Sequence, residues 1–188
     1  MAGADSVHLR LAQRADAARI ARLHADSWRR HYRGAYSDAF LDGDVEADRH
    51  QVWSERLREP DCTAGATIVA ERHGSLLGFV HVVFEDDPIW GALVDNIHVG
   101  SRVQRHGVGT RLMASAADAL VERSPQSGLY LWVLEQNTAA QAFYEARGGR
   151  YVERAPAAAP GGTAGRLHGA PLKLRYVWRD SAVLAQFS

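Results

Sequence analysis

The run Gln104-Arg105-His106-Gly107-Val108-Gly109 has the residue types that an anion site requires. Glycines at 107 and 109 remove side chains that would hold an anion away from the backbone, so successive amides can turn toward it. The run lies between a strand-like and a helix-like stretch, and a helix start adds unpaired N–H groups and the positive end of its dipole. Arg102, Arg105 and Arg111 place cations near the same point in the chain. Phosphate or pyrophosphate binding is the chemistry this spacing favours. The plainer alternative is two glycines making a tight turn before a helix.

Two nucleotide motifs do not fit. A P-loop ends in Gly-Lys-Ser/Thr, whereas Gly109 is followed by Thr110-Arg111. A dinucleotide fingerprint needs glycine at 112, which is Leu, and belongs on the first strand of a βαβ unit rather than in mid-chain.

A second set of residues could move protons. Asp95 interrupts an apolar strand pattern, and burying a carboxylate is costly without partners. It is either a base or a structural hydrogen-bonding group. Glu135 ends the next strand-like run, and Asp86 and Asp87 are further acidic candidates. Tyr144 can donate a phenolic proton or simply fill core space beside Phe143, and Asn137 is also a good helix N-cap. Trp28, Tyr32 and Tyr36 line up in or after the first helix, as an acceptor pocket or as packing; His24 reads as a core histidine.

The elements that must position these residues follow from periodicity. Val7 to Leu11 suits a first strand, and Asp16 can cap a helix whose apolar face holds Ala17, Ile20, Ala21, His24 and Trp28. An irregular stretch to Asp44 precedes a second helix over 45–59, stopped by Pro60. Strands over 67–71 and 76–84 flank a His73-Gly74 turn, and Glu85 to Pro88 reads as a loop. The strand over 93–99 is expected to put Leu93, Asp95, Ile97 and Val99 on one face and His98 on the other. A helix over 107–123, a strand over 129–134 and a short helix over 137–147 ending at Gly148-Gly149 come next. Tyr151-Val152 and the run 172–178 are last strands, joined by an Ala/Pro/Gly-rich segment over 155–171 expected to be a mobile loop. The pattern is α/β with a partly antiparallel sheet.

Composition bounds the class. The 188 residues are 46% hydrophobic and 23% charged, as expected of one folded domain spanning 1–188. Twenty-two Lys plus Arg balance twenty-two Asp plus Glu, which argues against a nucleic-acid-binding module. Cys62 is the only cysteine, so no internal disulfide or Cys-rich zinc site forms, and the nine histidines show no metal spacing. The first residues lack signal-peptide features, and no window approaches the ~20 apolar residues of a membrane span. These bounds point to a cytoplasmic protein with no metal, no nucleic acid and no membrane partner.

Taken in order, Ile97-His98-Val99, Gln104-x-x-Gly107-x-Gly109, Leu129 to Leu134, Asn137, Ala140, Phe143-Tyr144 and Gly148 resemble the GCN5-related N-acetyltransferase (GNAT) superfamily. The resemblance runs from Val7 to about Trp178. With Ser27-Trp28-Arg29 and Tyr32, the 95–99 stretch looks like a bacterial subgroup of unassigned substrate. Two departures, Ser101 for a common proline and Arg105 for a common glycine, remove no amide from the cradle. A third matters more: Leu93 stands where histone-type relatives carry a glutamate base.

The resemblance implies a strongly twisted mixed sheet with helices on both faces, its fourth and fifth strands splayed apart. It implies acetyl-CoA as co-substrate and acetyl transfer to a primary amine of a small molecule or protein. The pantetheine arm would lie along Ile97, His98 and Val99, with a backbone amide near Val99 serving the carbonyl oxygen. The pyrophosphate would meet Gln104, Arg105, His106, Gly107, Val108, Gly109 and Thr110. Asn137 and Ala140 would contact the arm, Tyr144 would be the general acid, and Asp95 or Glu135, or a water relay, would take the amine's proton. Trp28 and Tyr32 would line the acceptor pocket. Homodimers are common in this superfamily. The alternative is a non-catalytic acyl-CoA-binding sensor or interaction domain of the same fold.

Overall fold

The computed structural model describes residues 6–59 and 63–187, so Pro60 and Cys62 lie outside it. The chain forms β1 (His8–Leu11), α1 (Ala17–His31), α2 (Asp38–Asp42), α3 (Val45–Arg56), β2 (Gly65–Arg72), β3 (Ser75–Asp87) and β4 (Gly91–Val99). It continues with α4 (Val108–Arg123), β5 (Leu129–Leu134), α5 (Thr138–Glu145), β6 (Arg150–Pro156) and β7 (Leu172–Trp178). The strands make one mixed sheet in the order β1-β2-β3-β4-β5-β7-β6, antiparallel except for β4 with β5.

Helices cover both faces. Ile20, Ala21, Trp53 and Leu57 bring α1 and α3 onto the face that carries Val69 and Phe79. Leu112, Met113, Ala116 and Leu120 bring α4 onto the other, against Ile68, Val80, Val82 and Val94, and Tyr144 of α5 joins that core with Leu174, Tyr176 and Trp178. Burying each of the larger side chains among these is worth roughly 1.5–3 kcal/mol, so the apolar stripes rather than helix propensity fix these helices in place. No described helix is long and apolar enough to cross a membrane.

The differences from the expected elements have local causes. Glu85 to Asp87 continue β3 instead of looping, with Asp87 accepting the amides of Ile89 and Trp90 at 2.8 and 3.0 Å to close the turn beyond it. The stretch before Asp44 contains the short helix α2, held by Phe40 and Leu41 against Trp28 and Tyr36. Asp16 does not cap α1: its carboxylate turns back to the Gln13 amide at 2.8 Å and to Arg10 at 2.7 Å. The long loop between β6 and β7 is docked, not loose. Its His168 amide bonds the Ala35 carbonyl at 2.9 Å and its Arg166 carbonyl accepts the Ser37 amide at 2.9 Å. The Arg166 guanidinium pairs with Asp48 and lies 4.5 Å over the Phe40 ring.

Two features of β4 set the site. It pairs with β5 only through Ala92, Leu93 and Val94, and beyond Val94 the two strands part. At the same point its register with β3 slips, because His81 faces Asn96 while Val82 faces Val94. Asp95 is the extra residue of a β-bulge.

Candidate active site

The gap between β4 and β5 opens into a cavity of about 470 Å³ that reaches from the α4 end of the gap to α1. That volume lies within the range of small-molecule sites, roughly 300–1,000 Å³. One wall is the free edge of β4. The Gly100 amide bonds Leu77 of β3 at 2.8 Å. By the two-residue alternation of an antiparallel pair, His98 and Asn96 also address β3, so the N–H and C=O groups of Ile97 and Val99 face the gap.

At the α4 end the cavity meets Gln104, Arg105, Gly107, Gly109 and Thr110. Gly107, the N-cap of α4, has φ +78°, a left-handed conformation that glycine takes without strain. The first intrahelical bond is from the Arg111 amide to the Gly107 carbonyl, so the earlier amides of the first turn point outward unpaired. Arg105 also has positive φ, +65°, a conformation that glycine takes more easily.

Gly109 serves packing as much as the cradle. A Cβ there would lie 3.3 and 3.4 Å from ring carbons of Phe143, which itself lines the cavity. Gly109→Val is therefore expected to push Phe143 out of place, lowering both the ligand-free melting temperature and CoA affinity. Calorimetric titration with CoA and a melting curve check it. Unchanged values for both would mean that the α4–α5 contact tolerates a branched side chain.

The other expected cradle residues divide. Val108 is buried in the α4 core, so only its amide is available. His106 bonds the Gln104 carbonyl at 2.8 Å, and its exposed side chain is not among those lining the cavity. Arg111 leaves the loop for the Val7 carbonyl, at 2.9 Å.

From α5 and the residues flanking it, Asn137, Ala140, Phe143, Tyr144 and Arg147 line the opposite wall. Asn137 caps α5, its Oδ1 accepting the Ala140 amide at 3.3 Å, so capping and lining coexist. The Tyr144 hydroxyl has no hydrogen-bond partner among the described residues, and burial raises its pKa well above that of a free phenol. It stays protonated near neutral pH. Arg147 was not anticipated from the sequence. Its Nε bonds Thr110 Oγ1 at 3.0 Å, with Nη2 on the same oxygen, while Nη1 bonds the Phe143 carbonyl at 3.0 Å.

The far end belongs to α1 and the bulge. The bulge overturns the expected face: Val94, Ile97 and Val99 meet the α4 core, whereas Asp95 turns to the α1–α3 side. There its Oδ2 accepts from Arg56 of α3 at 3.0 Å and from Asn96 Nδ2 at 2.6 Å, leaving Oδ1 without a partner among the described residues. His98, expected on the opposite face, shares this one, bonding Ser27 Oγ at 2.8 Å and stacking on His24 at 4.4 Å between ring centroids. Burial pushes His98 down to about 3, with His31 and Arg49 adding to it, so its imidazole is neutral.

Three expectations fail here. Glu135 turns away to pair with Arg154 at 2.9 Å and borders a separate cleft beside His168 and Pro171. Asp86 accepts the Tyr130 hydroxyl and Asp87 closes its turn, so neither reaches the cavity. Tyr32 lines the cavity, but Trp28 lies behind it, stacked at 5.3 Å and covered by Arg49 at 4.4 Å. Leu93 sits below the splay, paired to Val83 and Tyr130. Among the described residues, no group of three or more His, Cys, Asp or Glu is placed to hold a metal ion.

The acetyltransferase (GNAT) family model matches residues 25–149, more than half of the chain. The chain belongs to this family. Curated relatives of the acetyltransferase include a probable N-acetyltransferase of Mycobacterium tuberculosis, 27% identical over 145 residues that span 74% of this chain and 78% of that one. An uncharacterized N-acetyltransferase of Bacillus subtilis is 29% identical over 143 residues, with the same coverage of 74% and 78%. Among solved structures, the PaiA N-acetyltransferase of Thermoplasma acidophilum in complex with coenzyme A aligns with a TM-score of 0.71 at 15% identity, covering 92% of this chain and 99% of that one. The acetyltransferase fold also aligns with YncA from Salmonella typhimurium with acetyl-CoA, TM-score 0.63 at 18% identity, covering 94% and 95%.

Proposed function

We propose that this GNAT enzyme transfers the acetyl group of acetyl-CoA to a primary amine of a small molecule or protein. The observation that carries the reading is the polarity of one continuous cavity. Unpaired amides and the cations Arg105 and Arg147 mark one end, and the Asp95 carboxylate marks the other, on the α1–α3 side. The residues fit acetyl-CoA in that direction. The α4 amides suit its pyrophosphate, the gap-facing backbone of Ile97 and Val99 suits the pantetheine amides, and Asn137 and Tyr144 lie beside them. When bound, it supplies an activated acetyl thioester.

The protein's own groups then manage charge and protons. The Val99 amide, facing the gap, can donate to the carbonyl oxygen as negative charge builds there. The Tyr144 hydroxyl can give its proton to the departing sulfur. At the far end, an alkyl amine with a pKa near 10.4 is mostly protonated at neutral pH and must lose a proton to react. Asp95 Oδ1 is free to take it, directly or through water, while Arg56 and Asn96 hold the carboxylate by Oδ2. A carboxylate at the entrance also favours a cationic amine over a hydroxyl acceptor. Tyr32 supplies part of the acceptor wall.

The test begins with an amine screen that detects free CoA thiol. With the best acceptor, Asp95→Asn is expected to lose rate near neutrality and to recover part of it at alkaline pH, where free amine accumulates. Glu135→Gln is expected to keep the parent's profile, because that side chain faces Arg154. An unchanged profile for Asp95→Asn would remove Asp95 as the base. No thiol release with any amine would remove the reading itself.

A further inference from the structure

The guanidinium of Arg147 is half-buried and is not neutralised. It lies over the Phe143 ring, Cζ 3.8 Å from the centroid. Three of its N–H groups go to neutral oxygens, Thr110 Oγ1 and the Phe143 carbonyl, and no carboxylate among the described residues pairs with it. Burial lowers its pKa from the usual arginine value, although a guanidinium remains charged at any physiological pH. A partly desolvated cation with no counter-charge is an energetic cost to the ligand-free fold. The cost is repaid if an anion arrives.

Its position says where that anion would be. Arg147 and its partner Thr110 both line the cavity, and Thr110 belongs to the first turn of α4, whose amides point outward unpaired. The guanidinium therefore flanks the amide cradle from the α5 side, its fork locked by the ring beneath and by the two oxygens. Planar, pre-oriented N–H donors suit two oxygens of a phosphate group better than a flexible ammonium does. Nothing in the glycine-containing run pointed to it, since Arg147 lies beyond the next strand and helix.

We infer that Arg147 is a phosphate-binding residue of this acetyltransferase, closing the α4 cradle over the diphosphate of the acyl carrier and selecting a diphosphate-bearing carrier over a bare acyl-pantetheine. The inference rests on the acetyl-CoA reading above. A charge-assisted hydrogen bond contributes about 1.5–3 kcal/mol, so losing it should weaken binding roughly ten- to hundred-fold.

The experiment compares the parent, Arg147→Met and Arg147→Lys with three carriers: acetyl-CoA, acetyl-dephospho-CoA, which keeps the diphosphate, and acetyl-pantetheine, which has no phosphate. Dissociation constants come from titration, and ligand-free melting curves show that each variant folds. Arg147→Met is expected to lose affinity for the first two carriers by the same factor and none for the third, with Arg147→Lys intermediate. An equal loss on acetyl-pantetheine would reduce Arg147 to a clamp between α4 and α5. A loss on acetyl-CoA alone would move the contact to the 3′-phosphate, and no loss would remove it from binding. Any of these overturns the inference. If instead the parent binds no carrier, the acetyl-CoA reading fails first, and the two failures are told apart.

Discussion

Tyr144→Phe is expected to bind CoA as tightly as the parent and to turn over roughly 10²–10⁴-fold more slowly, the usual worth of a positioned general acid. Three observations converge on this. The side chain lines the cavity, its hydroxyl bonds no protein group among the described residues, and burial keeps the phenol protonated where a thiolate would need the proton. The substitution removes one oxygen and leaves the ring packed against Phe143 and Trp178, at 5.4 and 6.1 Å between centroids. Folding should therefore survive. Steady-state kinetics and a CoA titration separate the outcomes: equal turnover would return Tyr144 to the core, and a loss confined to affinity would make it a binding residue only.

The second large effect concerns acid. His24, His81 and His98 are buried together under α1 and α3, and burial is the first cause of depression in each. His98 is pushed to about 3 and His81 to about 4, while His24 lies well below its ordinary value of 6.5. His24 is fixed by the Trp53 indole, which donates to its Nδ1 at 3.0 Å, and His81 by Thr67 at 2.8 Å. The charges around them compound the effect. Arg49 and Arg56 oppose protonation of His24, Arg49 and His31 oppose that of His98, and at His81 Arg56 works against Asp95.

The unfolded chain takes up protons near 6.5, where the folded chain does not, so the stability these residues confer is complete above that pH and falls as the pH drops toward 4. By pH 4.5 His81 and His98 are each worth on the order of 2 kcal/mol, a large share of an ordinary domain's stability, and His24 acts in the same direction. The melting temperature is expected to fall by roughly 8–16 °C between pH 7 and 4.5. Asp16, held far below the usual carboxylate range by Arg10, acts in the same direction but only below about pH 4, so the window identifies the histidines. A flat melting temperature from pH 7 to 4.5 would contradict the assignment. His98→Gln, which can still bond Ser27, should make the slope shallower.

What the sequence made legible were features carried by short-range rules. Apolar spacing located α1, α4 and β5 because those elements bury a repeating face, and the glycine run located the start of α4 because the left-handed turn before it suits glycine. What it hid were pairings set by distant contacts. Arg147 meets Thr110 across two intervening elements, and Arg56 meets Asp95 from a helix two strands earlier in the chain. Neither residue type nor spacing announces such a meeting. The Ala/Pro/Gly composition of the β6–β7 loop suggested freedom, yet Arg166 and His168 anchor it to α3 and to the segment after α1. Strict alternation along β4 misplaced Leu93 relative to Ile97, and Asp95 relative to His98, because alternation assumes one residue opposite one residue.

That last error points to how β4 would respond to change. With Asp95 as the supernumerary residue, the strand is read in two frames: Ala92 and Val94 in one, Ile97 and Val99 in the other, both delivering aliphatic side chains to the same core. Point substitutions at 95 alter one functional group and leave both frames intact. Deleting Asp95 would instead restore regular alternation, leaving Val94, Ile97 and Val99 on the same core face and removing only the side chain that the bulge turns toward α1 and α3. The bulge therefore frees residue 95 from the packing of β4: the core constrains its neighbours, and only chemistry constrains its side chain.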